Sequence, residues 1–271
     1  MTKLTIPEYQ GLDAIRLGAA LTESFPGGRL EVLESCPSTQ ALAVERARAG
    51  EAFPLAVFAE AQSAGRGRLG RSWASPSRRN LYVSMLLRPQ APLEQLSGLT
   101  LGVSLAVADA LDGVGLRAGI KWPNDLLVSG RKISGILTEL LTDTGSGPAF
   151  VVGIGVNLNA TTDEFPLELR QIATSVAIET GKEIDRSEFA AALLGALSRR
   201  WRTLEAAGFA AMRAEWEGRH VLTGRVVSIS AGAAIEGVVR GVADDGALLV
   251  EGTHGLQRVL SGEATLAPRR E

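Results

Sequence analysis

The sequence predicts an α+β chain built from a larger unit and a smaller β unit. Apolar residues recur at helical spacing at Leu96, Leu99, Val103, Val107 and Leu111, and again at Phe189, Leu193, Leu197, Trp201 and Leu204. Between the two helices, residues 116–157 read as consecutive strands joined by tight turns. Beyond about residue 220 the character changes to short strands punctuated by glycine, with an Asp244-Asp245-Gly246 turn, the pattern of a small β-barrel. The length of 271 residues suits two such units.

Each element has a local reason. Residues 1–28 form a short helical lead ended by Pro26-Gly27-Gly28, too short for a helix-turn-helix domain. Residues 29–34 alternate like a strand. Pro37-Ser38-Thr39 then offers a helix N-cap for residues 40–48, which Gly50 closes. Residues 55–61 form a buried strand, 62–80 a Gly/Arg/Ser/Pro-rich loop, and 81–87 a further strand. In the following run, strands 116–122, 126–128, 133–142 and 149–157 are separated by turns that include Pro123-Asn124-Asp125 and Ser129-Gly130-Arg131.

Composition narrows the function. Hydrophobic residues make up 45% and charged residues 21%, a folded rather than disordered chain. Cys36 has no partner for a disulfide, and with only His220 and His254 beside it there is no zinc tetrad, so no fixed metal site is expected. The amino terminus carries Glu8 and Asp13 where a signal peptide is apolar, and the longest uncharged stretch, 144–162, is broken by Gly, Pro and Asn. A cytoplasmic protein without a membrane partner is expected. The net charge of −2 argues against a general nucleic-acid surface. Between Glu60 and Glu94, however, there is no acidic residue, while Arg66, Arg68, Arg71, Arg78, Arg79 and Arg88 all fall there, which predicts a local anion site.

Three segments carry candidate chemistry. Gly65-Arg66-Gly67-Arg68-Leu69-Gly70-Arg71 contains a formal GxGxxG, but Ser72-Trp73-Ala74-Ser75-Pro76 is a poor helix start, so a dinucleotide turn is rejected. A mobile backbone carrying forked guanidinium groups can wrap an anionic ligand, and equally can be a solvated RG-type loop with weak RNA affinity. Lys121-Trp122-Pro123-Asn124-Asp125, followed by Lys132-Ile133-Ser134-Gly135-Ile136-Leu137, reads as a hairpin corner. Two of the chain's four lysines fall here, however, and a compact ammonium can neutralise converging anions at a crowded point. Gly153-Ile154-Gly155-Val156-Asn157 puts glycines inside a strand, which marks either a close approach or a plain strand end. There is no Ser-His-Asp set, cysteine nucleophile or metal cluster, so anion activation is favoured over hydrolysis.

In this order the segments resemble the biotin protein ligases, over residue 29 to the C-terminus; the KWPND, KISGIL and GIGVN segments and the GRGRLGR loop carry the likeness. The resemblance implies a mixed β-sheet flanked by helices, of the biotin/lipoate ligase-like kind, over residues 29–220. It implies an SH3-like barrel over 221–271, behind a lead of residues 1–28. It implies activation of biotin by ATP as biotinyl-5′-AMP, with Mg²⁺ accompanying ATP, and transfer to a lysine of the biotin carboxyl carrier domain of a carboxylase. The monofunctional type is expected, without an N-terminal DNA-binding domain and so without a DNA partner; a homodimer is compatible with it.

By the same resemblance, Lys132 bridges the biotin carboxylate and the α-phosphate, with Arg66 and Arg68 holding both. Ser38, Thr39 and Gln62 meet the ureido ring, and Gln40, Gly65, Gly67 and Gly135 complete the biotin set. Gln40 departs from the Asn that many relatives carry. Arg68, Arg71, Trp73, Lys121, Asn124, Lys132 and Asn157 form the ATP set, and Asp125 orients or deprotonates the acceptor lysine. The loop glycines predict a lid that orders over biotinyl-AMP and shields it from water. The alternatives are a lipoate or octanoate ligase or transferase of the same fold, and a non-catalytic biotin- or RNA-binding module.

Overall fold

The structure, a computed structural model, describes residues 11–266 apart from 52, 146, 232 and 254. The first ten residues of the predicted lead, and residues 267–271 of the predicted C-terminal unit, lie outside the described residues.

Helix α1 (Ala14–Ser24) opens the described chain, capped by the Asp13 carboxylate, which accepts from the backbone N–H groups of Ile15 and Arg16 at 3.0 Å. Strand β1 (Arg29–Leu33) leads to α2 (Thr39–Arg48), whose N-cap is Ser38, and then to β2 (Leu55–Ala59). Beyond the loop come β3 (Leu81–Leu87) and α3 (Leu99–Gly113). Four strands follow: β4 (Gly119–Lys121), β5 (Asp125–Val128), β6 (Arg131–Leu141) and β7 (Ala149–Val156). A short α4 (Val176–Thr180) precedes the long α5 (Arg186–Ala207) and α6 (Arg213–Glu217).

These strands form one seven-stranded sheet in the order β1-β2-β3-β7-β6-β5-β4, parallel only between β1 and β2, so the expected mixed sheet is present. Alternation sorts its faces. Leu55, Val57, Leu86 and Val151 pack with Ala43 and Ala47 of α2. Phe58, Val83, Met85, Val152 and Ile154 point the other way, into a core shared with α1, α3 and α5. The predicted apolar stripe of α5 is buried at all five positions. In α3 the stripe starts one turn later than expected: Leu96 belongs to a separate 3₁₀ turn, and Gly98, the N-cap of α3, lies so close under Phe209 that a Cβ there would be 2.3 Å from it.

One irregularity positions the site. Leu126 pairs with Ser134 but Leu127 with Lys132, which leaves Ile133 as a bulged residue. A regular strand would turn Lys132 and Gly135 to opposite faces; the bulge lets both border one cavity while Ile133 is buried in the core.

The C-terminal strands β8 (Val226–Ala231), β9 (Ala233–Val242), β10 (Leu248–Gly252), β11 (Gly255–Val259) and β12 (Glu263–Leu266) make a five-stranded antiparallel sheet in the order β11-β10-β9-β8-β12. Its Val227, Ile229, Val239 and Val250 belong to the same hydrophobic core as the helices of the larger unit. Among the described residues no helix is long and apolar enough to cross a membrane.

Candidate active site

Strands β6 and β7 form a floor that carries glycine at 135, 153 and 155, and the reason is close approach. A Cβ on Gly155 would lie 2.5 Å from the Trp73 ring, one on Gly135 2.9 Å from it, and one on Gly153 2.4 Å from Gln40 Oε1. The strand glycines are therefore the bed on which two buried or half-buried side chains lie. The Trp73 indole N–H is buried there without a hydrogen-bond partner.

The N-terminus of α2 supplies a neutral polar wall. Ser38, Thr39 and Gln40 are all buried. The Thr39 backbone N–H donates to Gln62 Oε1 at 2.9 Å, and the Thr39 hydroxyl donates to the same oxygen at 3.2 Å. Ser84 contacts Thr39 Oγ1 at 2.9 Å and Gln40 Oε1 at 3.3 Å, while Gln40 Nε2 donates to the Val151 carbonyl at 3.3 Å. Gln62 Nε2 donates to Ser75 Oγ at 3.0 Å. The extra length of Gln40 is thus taken up between Gly153 and Ser84.

The Arg-rich segment is a hairpin. Gly67 N–H donates to the Arg71 carbonyl at 2.7 Å, Trp73 N–H donates to Gly65 at 2.9 Å, and Arg66 bridges Ser72. Leu69 and Gly70 turn its tip with φ of 56° and 74°. Gly65, assigned to the biotin set, borders neither of the two cavities described below; a Cβ there would meet the Trp73 carbonyl at 2.6 Å, so it closes the hairpin stem. Arg68 Nη1 donates to Asn124 Oδ1 at 3.2 Å and to the Gly262 carbonyl at 3.3 Å, and burial lowers its guanidinium pKa from the usual arginine value. Arg71 pairs with Glu263 of β12. Arg66 is exposed at the mouth.

Two adjoining cavities result. The smaller, about 50 Å³, is bordered by Ser38, Thr39, Gln40, Gln62, Arg66, Tyr82, Ser84 and the floor glycines. The larger, about 430 Å³, is bordered by Arg71, Lys121, Asp125, Asn157 and Glu263 on its polar side and by Phe165, Leu169 and Ile172 on its apolar side. Gly67, Arg68, Trp73, Asn124 and Lys132 border both. Lys132 Nζ lies 2.6 Å from Asp125 Oδ1 and 5.4 Å from the Trp73 ring centroid. Asn157 is buried, and its amide donates to the Thr174 carbonyl at 2.9 Å. The backbone of Lys132 is held in turn: its N–H donates to Ile172 at 2.8 Å and its carbonyl accepts from Thr174 at 2.9 Å. Among the described residues no group of three His, Cys, Asp or Glu is placed to hold a metal.

Apart from Gly65, the sequence-predicted residues therefore meet around this pair of cavities. Sequence reasoning missed Tyr82 and Ser84, whose alternation on β3 points them at the floor, and Glu263, which only the packing of the C-terminal sheet brings in. It also missed the apolar wall of residues 165–172, whose Phe165-Pro166-Leu167 run was the available signal.

Comparisons with known proteins agree with this geometry. Residues 32–159 match the biotin/lipoate A/B protein ligase family, and residues 218–266 match the biotin protein ligase C terminal domain. The chain is 39% identical over 215 residues to a biotin–[acetyl-CoA-carboxylase] ligase of Paracoccus denitrificans, covering 76% of this chain and 88% of that protein. It is 34% identical over 254 residues to the bifunctional ligase/repressor BirA of Bacillus subtilis (strain 168), covering 93% of this chain and 78% of that one. A solved structure, a biotin protein ligase from Aquifex aeolicus in complex with biotin and ATP, superposes with a TM-score of 0.76 at 30% identity, covering 89% of this chain and 99% of that one.

Proposed function

Since the chain belongs to the biotin protein ligase family, we infer that its two cavities receive the two substrates named for its relatives, biotin and ATP, and that it is a biotin ligase. The observation that carries this reading is the position of Lys132, on the wall shared by a neutral, hydrogen-bonding cavity and a charged one.

The chemistry needs such a wall. A biotin carboxylate oxygen must attack the α-phosphorus of ATP while the bond to pyrophosphate breaks, giving biotinyl-5′-AMP. Two like unit charges at 4 Å repel by roughly 4 kcal/mol at an effective dielectric of about 20. Lys132 and Arg68 offset that repulsion and the charge that grows on the phosphoryl oxygens. Asp125 holds the Lys132 ammonium on the wall before the anions arrive. Once Lys132 turns to them, its carboxylate is released to orient the acceptor lysine, whose ordinary pKa of about 10.4 leaves it protonated at neutral pH. That acceptor is a lysine on the biotin carboxyl carrier domain of a carboxylase.

Ser38, Thr39, Gln40 and Gln62 fit the uncharged ureido end of biotin, whose polar atoms need partners once buried. Gly67, Gly135, Arg66 and Arg68 lie along its chain towards the carboxylate. Arg71, Trp73, Lys121, Asn124 and Asn157 lie on the ATP side. The smaller cavity is far below the roughly 300–1,000 Å³ of small-molecule sites, so its walls must open as biotin enters. Mg²⁺ would come with the triphosphate and be held by phosphate and water, since Asp125 and Glu263 beside the larger cavity are already paired with Lys132 and Arg71. We divide the chain into a lead of residues 1–28, a catalytic unit of 29–220 and a C-terminal unit of 221–271, and place the enzyme in the cytoplasm, where carrier and ATP are found together.

The test is ATP-dependent transfer of labelled biotin to a purified carrier domain. Transfer of biotin, and none of octanoate, is expected. Biotin bound without transfer would mark a binding module instead, and octanoate transfer a different ligase.

A further inference from the structure

Arg79 lies near the end of the Arg-rich loop, two residues before β3, and its side chain is 4% exposed. None of the chemistry above uses it. Its Nε lies 2.9 Å from Glu164 Oε2, and its Nη1 lies 2.8 Å from Glu183 Oε1, so one buried guanidinium joins two carboxylates on either side of the 165–182 segment. Backbone bonds reinforce the knot. Asn159 N–H donates to the Arg79 carbonyl at 2.9 Å, and Asn80 Oδ1 accepts from the N–H groups of Leu158 at 2.9 Å and Ala160 at 3.3 Å.

The segment anchored in this way is the apolar wall of the larger cavity. Phe165, Leu169 and Ile172 border that cavity and not the smaller one, and the Ile172 carbonyl accepts from Lys132 N–H. Strand β3 does not need the guanidinium, because β2 and β7 hold it on both edges. Burying an arginine is costly unless its partners repay the desolvation. We propose that Arg79 is a positioning residue: through Glu164 it sets the 161–173 wall against which the nucleotide lies, and so tunes ATP binding without touching ATP.

The inference rests on the ATP reading above, so wild-type adenylation is measured first; a wild type that makes no biotinyl-AMP overturns that reading before any variant is compared. The primary variant is Glu164→Ala, which frees the wall while leaving Arg79 its pair with Glu183. Its KM for ATP is expected to rise about three- to tenfold, the net effect of losing one ordinary hydrogen bond, with the KM for biotin within about twofold of wild type on the same scale. Thr161→Val removes the hydroxyl that shares Glu164 Oε2 at 3.1 Å but keeps the 2.8 Å bond from the Thr161 N–H to the same oxygen, so it tests only the side-chain part of the turn's cap and is expected to keep its KM for ATP; Arg79→Met, which leaves the whole cap in place, isolates the tie. Arg79→Met is expected to match Glu164→Ala, and the double variant to raise the KM for ATP no further. An unchanged KM for ATP in Glu164→Ala, an equal rise for both substrates, or an equal rise in Thr161→Val would overturn the assignment.

Discussion

The smaller cavity is walled by neutral groups that already bond to one another, Ser84 to Thr39 and Gln40, and Thr39 to Gln62, over a floor of glycine. The larger is walled by charges held in pairs, Lys132 with Asp125 and Arg71 with Glu263, facing an apolar loop. The first is assembled from one sheet, one helix end and the stem of the Arg-rich loop, which supplies Gln62, Arg66 and Trp73. The second draws on the sheet, the 161–173 loop and the C-terminal sheet. The neutral groups thus come mainly from the sheet and α2, the charged groups are gathered from distant parts of the chain, and chemistry is placed where the two meet.

Removing the meeting point should have the largest effect. Lys132→Ala is expected to lower biotinyl-AMP formation by about 10²–10³-fold, the usual cost of deleting one transition-state charge partner, with the far-UV circular dichroism unchanged. Pyrophosphate release within a few-fold of wild type would break the comparison at its centre.

Acid should loosen the molecule from the junction that supports the larger cavity. His220 is buried, stacked 4.5 Å from Trp216 and bridged to Ile120, the residue before Lys121. Burial pushes its imidazole down to about 4 from 6.5. The unfolded chain therefore binds the proton first: the stabilisation is fully present above about pH 6.5 and is lost as the pH falls towards 4, up to about 3 kcal/mol. His220→Gln should show a smaller drop in Tm than wild type between pH 7 and about 4.5. Equal drops would contradict the neutral buried ring.

The glycine bed can be tested from the neutral side. In Gly153→Val the added Cβ alone would lie 2.4 Å from Gln40 Oε1, whose side chain borders the smaller cavity and not the larger. Overpacking of about 1–3 kcal/mol should appear mainly as a raised Kd for biotin in calorimetry, with ATP binding altered much less. A proportionate loss of both affinities would mean that the cavities are not separable.

The smallest effect belongs to the tie between loop and C-terminal sheet. Arg71 and Glu263 are partly exposed, so Glu263→Gln should change the KM for ATP by no more than about fivefold, and less at high salt. A loss as large as that of Lys132→Ala would show that the C-terminal sheet does far more than trim the larger cavity.

The legible parts were those fixed over short spans. The stripes of α3 and α5, the strand run ending in the GIGVN segment and the Ser38 cap follow from period and local chemistry, and the GRGRLGR, KWPND and KISGIL segments brought most site residues with them. What stayed hidden depends on distant partners. That Trp73 lies on Gly135 and Gly155 requires the β6–β7 register, that Ile133 is bulged requires the pairing with β5, and that Arg79 meets Glu164 requires the return of the chain 85 positions later. The stem position of Gly65 was hidden too, because glycine in a binding loop and glycine in a hairpin stem look alike until the facing carbonyl is known.

The central claim is that one cationic wall lets two acids combine and keeps the product. It is tested most directly by mixing the full chain with biotin, ATP and Mg²⁺ in the absence of any acceptor, then analysing what remains bound after gel filtration. About one equivalent of biotinyl-5′-AMP per chain, formed with an equal amount of pyrophosphate and accumulating at least about 10²-fold more slowly in Lys132→Ala, is the predicted result. Biotin and ATP recovered unreacted from the wild type, or ATP split without any bound anhydride, would contradict it.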